Sequence, residues 1–178
     1  NDELVATYGN LVHRVLTFTF RNFNGQIPQP GDLDEDASEF LSKANRLFQD
    51  VAHNLALCHF RNALSCAMSL AQEANRYLDH KEPWKTLKID PSGTATTLWV
   101  VLSVINCLKV ALYPFIPFSS ERLHQMLGFT DTISDNGWRW EPSLEALPPN
   151  QTMTTPTPLF SKLEEEVATT EIERLGQT

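Results

Sequence analysis

From Leu98 to Leu112 the chain reads Leu-Trp-Val-Val-Leu-Ser-Val-Ile-Asn-Cys-Leu-Lys-Val-Ala-Leu, apolar around almost the whole circumference of a helix. A helix with no polar face has to be enclosed, either by other helices or by lipid. Ser103, Asn106 and Lys109 interrupt the run and Pro114 follows it, so the reading is a buried bundle helix, not a membrane span. Such a helix needs neighbours with one apolar face each, and the rest of the sequence supplies them.

A first helix is expected over residues 2–22, with Asp2 and Glu3 at its positive end and Leu4, Leu11, Val15 and Phe18 turned inward. Asn24-Gly25 and the Pro28, Pro30 and Gly31 cluster end it. Asp34-Glu35-Asp36 opens a second helix reaching about Ala56, with Phe40, Ala44, Leu47, Phe48, Val51 and Leu55 as its apolar stripe. A third runs from about His59 to His80, with Phe60, Ala63, Leu64, Ala67, Leu70 and Ala74 inward, and Pro83 stops the chain soon afterwards. The central helix follows a break at Pro91-Ser92-Gly93, is capped by Ser92 or Thr94, and reaches about Tyr113. Pro114 and Pro117 separate it from a fifth helix near Phe118 to Leu127, closed by Gly128.

From Thr130 to Pro158 the chain is rich in Pro, Thr, Asn and Asp, with Trp138 and Trp140 embedded. This reads as an extended segment laid over the bundle. A last helix, acidic and mostly polar, is expected from about Lys162 to Leu175, with Glu164-Glu165-Glu166 on a solvated face. Strand-like alternation is nearly absent. The fold class is therefore all-α: an up-down bundle of about five helices with an extended Pro/Thr-rich segment and a C-terminal helix. Residues 1–128 form the bundle, and residues 129–178 pack on it or trail from it. The chain opens Asn1-Asp2-Glu3-Leu4 without Met, which reads as a cut from a longer polypeptide.

Net charge bears on partners. At −8 over 178 residues the chain does not coat nucleic acid by bulk charge. Locally the balance differs. No Asp or Glu occurs from Leu4 to Gly31, while Arg14 and Arg21 do; from Arg76 to Lys88 four basic residues face two acidic ones. Cys58, Cys66 and Cys107 have no C-x-x-C spacing and read as reduced core thiols. The five histidines have no partner at metal-binding spacing, and no phosphate loop or nucleophile motif is present. The residues alone describe a helical binding module with no catalytic site and no metal site of its own.

Its candidate site is a polar constellation. Asn10, Arg14 and Arg21 fall at i, i+4 and i+11, close to one direction on a helix. Such pairs are common on solvated faces. Here, however, three such groups share a carboxylate-free stretch, where a guanidinium is available for a phosphate or a base. An amide and a planar guanidinium hydrogen-bond base edges. Most tryptophans are core, but Trp84 follows a Pro at a helix end among Lys81, Lys85 and Lys88, where its flat face suits a stacked base. Asn75 and Tyr77, just upstream, are read as structural, satisfying backbone groups between the third and first helices.

In order along the chain come Gly9-Asn10-Leu11-Val12-His13-Arg14, Phe60-Arg61-Asn62-Ala63-Leu64, Ala74-Asn75-Arg76-Tyr77-Leu78-Asp79-His80-Lys81-Glu82-Pro83-Trp84, Leu112-Tyr113-Pro114-Phe115-Ile116-Pro117-Phe118 and Pro158-Leu159-Phe160-Ser161-Lys162-Leu163. This series resembles the C-terminal anticodon-binding domain of the methionyl-tRNA synthetases, over nearly the whole chain. Leucyl, isoleucyl and valyl enzymes share the bundle but not the pairing of the first and third motifs. The resemblance implies that Asn10 and Arg14 contact the first anticodon base, a cytosine. It implies that Trp84 stacks on an anticodon base in a loop shaped by Pro83, and that Arg21 lies near the second base or its backbone. The family enzyme joins methionine to its tRNA with ATP and Mg²⁺ in a catalytic domain carrying HIGH-like and KMSKS-like motifs, neither of which is in this chain. The implied partners are the anticodon loop of tRNA(Met) and the catalytic domain of the same polypeptide, in the cytoplasm, with no membrane and no cofactor held by this domain. The alternatives are a stand-alone helical RNA- or protein-interaction module of the same ancestry, or the equivalent domain of another class I synthetase.

Overall fold

The structure is a computed structural model that describes residues 2–135, 147–162 and 165–175. Trp138, Trp140 and Glu164 lie outside the described residues. The helices are α1 (Asn10–Asn22), α2 (Glu35–Ala56), α3 (Phe60–Lys81), α4 (Pro83–Thr86), α5 (Pro91–Leu112), α6 (Pro117–Met126) and α7 (Glu165–Leu175). Among the described residues the only β pairing is a single antiparallel bridge between Gln26 and Thr152. The architecture is all-α, as the helical periodicities imply.

The apolar run sits at the centre. Pro91–Leu112 is long and apolar enough to cross a membrane, but 83% of its most apolar window is buried inside the protein. α1, α2 and α3 supply the enclosing faces through Leu11, Val15 and Leu16, through Phe40, Ala44, Phe48 and Val51, and through Ala63, Ala67, Leu70 and Ala74. The cap of α5 is neither Ser92 nor Thr94. Asp90 caps it, its Oδ1 accepting from Gly93 N at 2.9 Å. Pro91, read as a break, occupies the first helical position, where its missing N–H is no loss. Asp34 caps α2 in the same way, accepting from Ala37 N at 2.8 Å.

Four local readings change. Residues 2–9 are wound as a π-helix, and α-helix begins only at Asn10. Leu4, in the π-helical turn, is half-buried and packs against the core, as Phe18 of α1 does. On α3, Phe60 and Leu64 are 57% and 37% exposed: Phe60 opens the helix beyond the core, and Leu64 stands one residue off the Ala63–Ala67 row. Tyr77 does not serve the first helix. It stacks on Phe40 of α2, ring centroids 4.4 Å apart. Asn75 does join the helices, donating to the Thr7 carbonyl at 3.2 Å and to Ala71 at 3.0 Å. Of the three thiols, only Cys107 is fully in the core, where burial pushes its pKa up to about 12. Cys58 is exposed in the α2–α3 turn at φ +58°.

The segment after α6 straps the bundle. Leu147, Met153 and Leu159 are buried. Ile27 N donates to the Gln151 carbonyl at 2.9 Å, and Met153 N to that of Gly25 at 2.8 Å. Gly128, at φ +93°, has room for no side chain, because a Cβ there would stand 2.0 Å from the Thr152 carbonyl oxygen. Farther on, Phe160 lies against Tyr8, ring centroids 6.1 Å apart, and fills the space a Cβ on Gly9 would need. α7 is described over Glu165–Leu175, and its Val167, Ile172 and Leu175 are 47%, 70% and 77% exposed.

Candidate nucleic-acid interface

α3 ends at Lys81, and Glu82 takes a left-handed conformation (φ 43°, ψ 57°) that redirects the chain. Pro83 then opens the four-residue helix α4. The sequence implies only a loop here, since four residues are too few to carry a periodicity. The buried Pro83 ring anchors it, and Trp84 is 44% exposed beside α1. Four elements thus bound one cleft of about 610 Å³. α1 contributes His13, Arg14, Val15, Thr17, Phe18, Arg21 and Asn22; α3 gives Leu78, α4 gives Pro83 and Trp84, and α5 gives Leu98. Its floor is apolar and its rim cationic.

Arg14 is the centre of the cleft's electrostatics. Its guanidinium lies 5.2 Å from the Trp84 ring centroid. Its Nη2 also donates to Asp79 Oδ1 at 3.0 Å. The carboxylate-free stretch around Arg14 in sequence is therefore not carboxylate-free in space, because α3 brings Asp79 across. The pair is open to solvent, with side chains 36% and 59% exposed, and exposed pairs contribute little. Arg21 is exposed at the far end of the same lining. Asn10 is exposed at the first position of α1, outside the lining. The cleft thus unites Arg14, Arg21, Pro83 and Trp84, and leaves Asn10 outside its lining, one helical turn before Arg14.

The lysines near Trp84 differ in fate. Lys81 turns away, donating to Asp34 at 2.6 Å and Asp36 at 2.8 Å at the start of α2, and its hydrogen bond holds the Asp34 carboxyl below its ordinary range. Lys85 pairs with Glu82 at 2.7 Å. Sequence reasoning missed His13 and Thr17 as lining residues. Thr17 had a signal, since i+7 from Asn10 lies on the same stripe as i+4 and i+11. Asp79 had none, standing 65 residues from its partner. Among the described residues, no three His, Cys, Asp or Glu side chains gather as a metal site.

A second polar cluster lies in the core. Lys109 is 3% exposed, donates to Asn106 Oδ1 at 2.7 Å, and shares a 2.7 Å hydrogen bond with His124 Nδ1. Its ammonium lies 4.3 Å from the Phe129 ring, on which His124 stacks at 4.4 Å. His124 Nε2 stands 3.0 Å from Asp131 Oδ1. Burial brings Lys109 down to about 7, and burial with the nearby Lys109 lowers His124. This cluster holds α5, α6 and residues 129–131 together.

A family model described as the anticodon binding domain of methionyl tRNA ligase matches residues 27–178. The methionine–tRNA ligase of Dehalococcoides mccartyi is 47% identical over 99% of this chain and 31% of its own length. That of Roseiflexus castenholzii is 41% identical over 98% of this chain and 33% of its own. The chain thus spans about a third of the length of these curated relatives. The free-state crystal structure of Mycobacterium tuberculosis methionyl-tRNA synthetase shares the fold, with a TM-score of 0.82 at 23% identity over 90% of this chain and 32% of that one.

Proposed function

This chain belongs to the family of methionyl tRNA ligase anticodon-binding domains, and we propose that within its parent polypeptide it reads the CAU anticodon of tRNA(Met). The observation that carries this is the cleft itself. An exposed Trp84 face, the Arg14 guanidinium and the Arg21 guanidinium converge over an apolar floor. Unpaired anticodon bases are recognised by stacking and by hydrogen bonds to their edges. In this reading Trp84, set by Pro83, stacks on a base. Arg14 exchanges its exposed Asp79 contact for the first base, the cytosine. Asn10, one helical turn before Arg14, completes the contact to that base, and Arg21 meets the second base or its backbone.

The domain contributes specificity and the parent supplies the chemistry. ATP and Mg²⁺ act in the catalytic domain of the same polypeptide, in the cytoplasm. Charging by the parent ligase tests the reading. Trp84→Ala and Arg14→Ala should each cut kcat/KM for tRNA(Met), and Asn10→Ala should relax discrimination at the first anticodon base more than it weakens affinity. A ligase that charges normally with both Trp84→Ala and Arg14→Ala sinks the proposal. Uniform weakening by Asn10→Ala across all first bases removes base-edge reading from that residue.

A further inference from the structure

On the α1 stripe that carries Asn10, Arg14 and Arg21, Thr17 fills the remaining position. It lines the cleft between the two arginines, with His13 one turn before it. The Thr17 hydroxyl and the His13 Nδ1 are both shut off from water, and neither has a hydrogen-bond partner. Unpaired buried polar groups are uncommon because each destabilises the fold that contains it. Tyr8, Thr19 and Ser120 carry hydroxyls in the same condition, but none of these lines the cleft. Two unpartnered groups one helical turn apart, in the lining of the cleft that Trp84 also lines, form a pattern that packing alone does not require.

The walls around them are lightly held. Arg14 is fixed by a solvent-exposed contact to Asp79 and by its position 5.2 Å from the Trp84 ring. A flat ligand that takes the Trp84 face displaces the guanidinium at small cost. We propose that His13 and Thr17 are specificity-determining residues, whose side chains hydrogen-bond the edge of the nucleobase seated on Trp84 once it has shifted the cleft walls. This rests on the anticodon reading above. A hydroxyl donates and accepts, and an imidazole nitrogen does either according to tautomer. The pair therefore suits an edge with a donor beside an acceptor, such as the amino group and ring nitrogen of a cytosine. Val15, Phe18 and Leu98 make the surroundings apolar. There a mismatched edge leaves a polar group buried and unpaired, which is how such sites discriminate.

The test uses the full-length ligase with Thr17→Val, His13→Phe and, as reference, Trp84→Ala. The readouts are kcat/KM for tRNAs differing at the anticodon base in question, and the Tm of each variant. Thr17→Val and His13→Phe should each narrow the preference for the cognate base about tenfold. Thr17→Val should also hold or raise Tm, because valine keeps the shape and removes an unpaired hydroxyl. A scaffolding role gives the opposite signature, a lowered Tm with equal losses on every tRNA, and overturns the proposal. So does wild-type discrimination in both variants while Trp84→Ala cuts kcat/KM on the cognate tRNA. If Trp84→Ala and Arg14→Ala both charge normally, the anticodon reading fails and takes this inference with it.

Discussion

Arg14 over Trp84 and Lys109 over Phe129 are the same chemical motif in two settings. Each cation faces a ring, at 5.2 Å and 4.3 Å, and each has a hydrogen-bonded polar partner. Arg14 and its partner Asp79 are open to solvent, whereas Lys109 is 3% exposed. In water the first arrangement contributes little and is readily exchanged for another partner. In the core the second is costly to break, because each member would be left polar and unpaired. One cluster is suited to trading contacts with a ligand and the other to fixing helices. Conserving the motif's chemistry while changing its burial changes what it is for.

The sharpest way to break this contrast is Lys109→Ala. It should cost about 3–5 kcal/mol of stability through a cavity and stranded polar partners, read by denaturant unfolding. Lys109→Met, which keeps the volume and removes the charge, should recover most of that. A loss below about 1 kcal/mol for the alanine variant would deny the cluster a holding role. The same residue carries a pH signature. The unfolded chain holds the Lys109 proton up to its ordinary 10.5, while the folded protein releases it near about 7. Stability should therefore rise as pH climbs through that window, and Lys109→Met should flatten the rise. His124 acts in the same direction at lower pH: its lowered value makes stability decline as pH falls below its ordinary 6.5.

Trp84→Ala should sharpen the other side of the contrast, costing about 1–3 kcal/mol of anticodon stem-loop binding through lost stacking with little change in Tm. A large fall in Tm would make Trp84 a structural residue instead. Asp79→Ala should move stability by less than about 1 kcal/mol, measured by the same unfolding experiment. A cost above about 2 kcal/mol would show that the exposed pair holds helices as the buried cluster does. Smallest of all, Arg21→Ala should lower the salt dependence of binding by about one unit of slope if it meets a phosphate. An unchanged slope assigns Arg21 a base contact or none.

What could be read in the sequence follows from the range of each interaction. The enclosure of α5 was legible because fifteen residues without a polar face admit few outcomes. The stripes of α2 and α3 were legible for the same local reason. Arg14, Arg21, Pro83 and Trp84 could be picked out by residue type and placement, and they line one cleft. Asp79 could not be assigned to Arg14, because helix packing and not spacing brings them together. Lys109 reads in the sequence as an interruption of an apolar run, since its partner His124, and the Asp131 that His124 meets, come from beyond the following turn. The α4 turn and the π-helical start escaped because each is shorter than the window in which a period can be counted.

The contact of Phe160 with Tyr8 and Gly9 joins residues nearly the full length of the chain apart. So distant a contact closes a large loop, and it forms late, after the local helices have their own reward. During synthesis the N-terminal helices emerge first. The start of α1, where Asn10 stands, then waits for residues made long after it before its packing is complete. A nascent or prematurely terminated chain would carry every cleft side chain yet lack the strap that seats their helix, so the cleft is complete only in the finished domain.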